Sequence, residues 1–147
     1  MRRVLKVIIS TALLLSVSSI VFLFDTKAEA ATSSWQKIEG SCYGRVWTDA
    51  TTYTKRATSI DAYAEIKGKC GKLNYRMLAG TRDGEYYIGG PTFKGSLTKR
   101  TPIKKFYFSK FYPQRLDERW DLNVEFYKGK KFIGAVQSKI IYIKKRV

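Results

Sequence analysis

Histidine is absent from all 147 residues. Without an imidazole there is no Ser–His–Asp or Cys–His nucleophile, no His-ligated metal, and no side chain that titrates unperturbed near neutral pH. Cysteine occurs twice, at Cys42 and Cys70. Two thiolates with no histidine do not complete a usual zinc site, and a nucleophilic cysteine normally needs a histidine partner. The pair therefore reads as a disulfide, the one intramolecular pairing that two cysteines allow. On the chain-entropy model such a bridge contributes roughly 3–4 kcal/mol. No phosphate-binding glycine loop is present: Gly89-Gly90-Pro91 lacks the strand-to-helix setting such a loop needs and reads as a turn. No cofactor and no metal is implied. A helical stripe is missing after residue 30, where 116–120 offers one turn at most.

The one long hydrophobic run lies at the start. Residues 7–24 are uncharged and mostly apolar, preceded by Arg2, Arg3 and Lys6. Ala28-Glu29-Ala30 then supplies the small side chains that a signal peptidase pocket admits. This order predicts a cleaved secretory signal over 1–30 and one mature domain over 31–147. As an uncleaved anchor, the 18 residues would just reach across a bilayer. Five of them are Ser or Thr, however, and the cleavage pattern follows directly. No cysteine ends the run, so no lipid anchor is signalled. Export leads to compartments where a disulfide persists. The expected location is therefore extracellular, with retention at the cell wall. The Lys/Arg-led signal and the Lys-, Ile- and Tyr-rich composition have a bacterial style.

Acids are scarce: the chain has 28 Lys and Arg against 12 Asp and Glu. Residues 1–30 hold four of those bases and two of the acids, which leaves 24 against 10, a net charge of +14, on 31–147. A field of that size concentrates polyanions and speeds encounter with them. Phosphate-rich wall polymers, anionic lipid and nucleic acid all satisfy it.

What the mature region does have is alternation. Ile60, Ala62, Ala64 and Ile66 alternate with Asp61, Tyr63, Glu65 and Lys67. Trp120, Leu122, Val124 and Phe126 alternate with Asp121, Asn123, Glu125 and Tyr127. A period of two over eight residues marks a half-buried strand, and it places Trp120 in the core. Weaker strands are predicted over 42–47, 73–78, 85–88, 93–97 and 106–111, and a long last strand over 132–143. Gly129 marks a hairpin between the two C-terminal strands, and Asp83-Gly84 a turn. Residues 31–40 read as a loose arm. Six to eight such strands predict an all-β antiparallel sandwich or small barrel. The strand count and the cysteine pair resemble an immunoglobulin-like sandwich, although Trp47 comes too early after Cys42 to be the buried tryptophan of that pattern.

The bases cluster in three places: Lys99, Arg100, Lys104 and Lys105; Lys128, Lys130 and Lys131 at the hairpin tip; and Lys144, Lys145 and Arg146 near the end. The hairpin puts the last two clusters at opposite ends, so they form a stripe and not a patch. Each is a candidate surface for an anionic polymer, where Lys and Arg act by charge and counterion release. Taken singly, each also reads as a solvated edge whose lysines block aggregation. Aromatics interleave with bases at Tyr53, Lys55 and Arg56, and again over 105–112. Tyr107 is the outward candidate for ring stacking, because Phe106 and Phe108 share the inward parity.

Asp117, Glu118, Asp121 and Glu125 gather the carboxylates. Asp121 and Glu125 share a strand face at a separation of roughly 13 Å, too wide for a retaining glycosidase pair. The leading functional expectation is a secreted, non-catalytic protein that binds anionic polymers of the envelope or extracellular space. Three others stay open. One is a secreted antibacterial effector or toxin. Another is an inhibitor docking on an acidic secreted enzyme. The last is a histidine-free nuclease or glycosidase using Glu118 or Asp121 with Lys or Arg.

Overall fold

A computed structural model describes residues 29–83 and 88–147. The expected signal segment and most of the strand predicted over 85–88 lie outside the described residues, as does Gly84 of the predicted turn. Among the described residues eleven strands occur: β1 (Ala31–Thr32), β2 (Gln36–Glu39), β3 (Cys42–Thr48), β4 (Thr52–Tyr53), β5 (Ser59–Gly68), β6 (Leu73–Thr81), β7 (Ile88–Leu97), β8 (Lys104–Tyr107), β9 (Glu118–Lys128), β10 (Lys131–Gln137) and β11 (Ile141–Ile143). Among the described residues a single 3-10 turn spans Phe108–Lys110 and there is no α-helix.

Two sheets result. The smaller has the order β1-β3-β5-β8, with β2 also paired to β3. The larger has the order β4-β11-β9-β6-β7, with β10 also paired to β9. Their inner faces share one core. Val46, Ile60, Ala62, Ala64 and Phe106 come from the small sheet, and Met77, Trp120, Leu122, Val124 and Phe126 from the large one. The two periodic segments of the sequence are β5 and β9, the central strands of the two layers, so alternation was strongest where one face is wholly buried. Each large apolar side chain buried there contributes about 1.5–3 kcal/mol. The predicted disulfide is present: Cys42 opens β3, and Cys70 lies just past β5.

Four expectations need correction. The segment 31–40 is not a loose arm, because β1 and β2 both pair with β3 and Ile38 is buried. Gln36 locks it further: its side chain bonds both the backbone N–H and the carbonyl of Gln137, at 3.0 and 2.6 Å. Gly89-Gly90-Pro91 is not a turn but part of β7. Its glycines make room for rings, since a Cβ on Gly89 would lie 2.4 Å from the Trp120 ring and one on Gly90 2.8 Å from Phe111. The strand expected over 106–111 ends at Tyr107, where the 3-10 turn begins. The long last strand divides into β10 and β11, because one extra residue is inserted between the Gln137–Asn123 and Ile141–Trp120 pairings. Ser138 holds that bulge, its N–H donating to the Leu122 carbonyl and its hydroxyl accepting from the Leu122 N–H.

Candidate functional site

Strand register decides which bases meet. At one end of the sandwich lie the start of β3, the end of β5, the start of β6, the end of β7 and the β9–β10 hairpin, through the pairs Cys42–Gly68, Leu73–Leu97 and Asn74–Tyr127. The disulfide closes that end. Lys128, Lys130 and Lys131 stand on the hairpin there, built on a turn with Gly129 at φ 60°. Lys99 joins them, because its carbonyl accepts the Ile66 N–H at 2.8 Å and so fixes 99 beside the end of β5. Lys67, Lys69 and Lys72 complete the group from the β5–β6 connection. All seven lysines are exposed, and the acids beside them include Glu39, 2.7 Å from Lys128, and Glu65, next to Lys67 and Lys99 and paired with Arg45. The Lys128 contact holds the Glu39 carboxyl below its ordinary range. A shallow groove lined by Glu65, Ile66, Lys67, Gly68, Thr98, Lys99 and Arg100 enters this end from the small-sheet side, with Glu65 held by Arg45.

The remaining predicted site residues lie elsewhere. Lys104 and Lys105 pair with Ala62 and Asp61 toward the other end of β5. Lys105 is bonded to Asp61 at 2.7 Å, which raises its pKa. Tyr107 faces outward, 49% exposed, while Phe106 and Phe108 are buried. Lys144 and Lys145 follow β11, which pairs with the first residues of β9; the hairpin lysines follow its last. The ten residue steps of β9 put these clusters about 33 Å apart. Lys144 is held by Asp117 at 2.7 Å. Arg146 is turned inward: its guanidinium lies 3.5 Å from the Phe108 ring and donates to the carbonyls of Thr54, Lys55 and Ala57. Burial lowers its pKa. Its charge is engaged in clasping the 54–57 loop.

The acids concentrate at that far end. Asp49, Asp61, Asp83, Asp117, Glu118 and Asp121 all lie in the half opposite the lysines. Four of them pair there with Arg82, Lys105, Arg119 and Lys144, while Lys55, Lys110 and Lys145 stay exposed without an ion pair among the described residues. The disulfide half holds only Glu39, Glu65 and Glu125 of the described acids, so the larger positive excess lies at that end. The carboxylates considered for catalysis are occupied as well. Asp121 is fully buried against Arg82, and desolvation raises its pKa. Glu118 accepts from the Tyr112 hydroxyl and the Trp120 indole N–H, each at 2.8 Å. Glu125 takes two bonds from Arg76, at 2.7 and 2.8 Å. Among the described residues, no group of three or more Cys, Asp or Glu is placed to hold a metal ion.

Sequence reasoning passed over Lys67, Lys69 and Lys72. The signal was there, since three lysines flank Cys70 within six residues. Joining them to a hairpin sixty residues later requires the strand order.

Residues 28–144 match the family model described as the YqgA MG2 macroglobulin domain. The chain is similar to a Bacillus subtilis (strain 168) protein named "Cell wall-binding protein YqgA", at 50% identity over 120 residues that cover 80% of this chain and 83% of the relative. No solved structure matches.

Proposed function

The chain belongs to the YqgA MG2 macroglobulin domain family, and from that premise we propose that it is a non-catalytic protein binding an anionic polymer of the cell wall through the lysine-rich end of its sandwich. It acts outside the cytoplasm, a reading supported by a half-identical relative named as cell wall-binding. The observation that carries the reading is the convergence of Lys67, Lys69, Lys72, Lys99, Lys128, Lys130 and Lys131 on one end, from three segments of sequence, where Glu39 and Glu65 are each already engaged by a base. Seven flexible cations spread over one end, two of them lining a shallow groove, suit a repeating anion better than a small molecule, because each contact is weak and the polymer engages several together.

The test is retention of the purified protein on isolated walls across a salt series. Binding at low ionic strength should be lost between about 0.5 and 1 M salt, where exposed charges are screened. The triple variant Lys99→Glu, Lys130→Glu and Lys131→Glu should come off at a salt concentration at least about twofold lower. Retention that ignores both salt and these substitutions would sink the reading.

A further inference from the structure

Two of the three tryptophans stand outside the core, on the outward face of the small sheet. Trp47 on β3 and Tyr63 on β5 are directly opposite and stack, with centroids 5.0 Å apart and planes 15° from parallel. On the other edge of β5, Arg100 lies over Tyr63 at 4.9 Å. Trp35, just before β2, carries Arg45 and Lys67 each 4.3 Å from its ring centre. Arg45 in turn is paired with Glu65 at 2.5 Å. All three rings are half-buried, none belongs to the core cluster, and no element of the described chain crosses this face. The array leads directly into the lysine groove, since Lys67 and Arg100 line both.

We propose that this face, with Trp35, Trp47 and Tyr63 set among Arg45, Lys67 and Arg100, binds a polysaccharide whose sugar rings carry acidic groups. The inference rests on the wall-binding reading and names the ligand class for it. A plain polyanion would use cations alone, and rings contribute little to it. A sugar ring has an apolar C–H face that packs on an aromatic side chain, and polar edges that a neighbouring cation can bond. A flat sheet with rings and cations interleaved offers both to successive units of a chain. Ordering costs little here, because the rings are already fixed by stacking and by the cations over them.

The test compares two polycarboxylates, polygalacturonate with sugar rings and poly-glutamate without, as apparent Kd for the purified full chain over a salt series. Polygalacturonate should bind at least about tenfold tighter at equal charge concentration, or roughly 1.4 kcal/mol. It should also keep measurable binding at salt that releases poly-glutamate, and alter the tryptophan emission. The pair Trp47→Thr and Tyr63→Thr keeps strand propensity and should erase the preference with poly-glutamate binding changed less than about twofold. Trp35→Ala lies outside any strand and should reduce the preference without touching sheet pairing. Equal binding of both polymers by the unaltered protein, or a preference that survives these variants, overturns the inference. Its failure is distinguishable from that of the wall-binding reading: reversing Lys99, Lys130 and Lys131 should weaken both polymers and the wall together and leave their ratio unchanged.

Discussion

At the scale of single residues, the tightest constraint lies where Trp120 meets β7. Trp120 is fully buried and touches the rings of Phe111 and Tyr112 at centroid distances of 5.2 and 5.6 Å. Gly89 leaves the space that the indole fills. Trp120→Ala should therefore cost about 3–5 kcal/mol. Gly89→Ala, far smaller in chemistry, should still cost about 1–3 kcal/mol, because the new methyl meets a ring that cannot move outward. Denaturant unfolding measures both. A Gly89→Ala loss under a few tenths of a kcal/mol would mean that the β7 backbone yields. Arg146 teaches the complementary lesson: a base in a run of bases can be a structural clasp.

At the scale of elements, β6 and β9 are joined by their ladder and by the Arg76–Glu125 pair across it. The arginine holds Glu125 below its ordinary value near 4.5. A lowered carboxylate pKa contributes stability that is full above the unfolded value and is lost as pH falls through the folded one. Buried Asp121 acts in the opposite sense, since desolvation raises its pKa and favours the folded state as protons are added. Between pH 5 and 3 the Arg76→Met variant should lose the stability decline that Glu125 supplies, giving a flatter unfolding free energy against pH than the unaltered protein. Identical slopes would show that the pair makes no net contribution.

For the whole molecule the deciding quantity is the distribution of charge. A net +14 over 31–147 would bind polyanions weakly from any side. The fold sends most of the described acids to one end and leaves the larger excess of lysines at the other. Reversing three exposed lysines of the far end, Lys55, Lys110 and Lys145, changes net charge as much as reversing Lys99, Lys130 and Lys131. It should lower the salt needed to release the protein from walls by clearly less, under about half the shift. Equal shifts would mean that only the total matters.

The sequence by itself determined the layer type and the core, because a period of two over β5 and β9 leaves one face to bury and water for the other. It determined the disulfide by elimination and the cationic character by count. It also placed the hairpin lysines and the terminal lysines at opposite ends, since pairing across Gly129 is local. Only the tertiary structure decided that Lys99 belongs with the hairpin, that Lys67, Lys69 and Lys72 join them, and that Arg146 does not project into solvent. Only it put Trp35, Trp47 and Tyr63 together on an outer face. Local periodicity reports which side of a strand is dry; which strands become neighbours depends on long-range pairing and on the bulges that shift it by one residue, and no short window of sequence carries that.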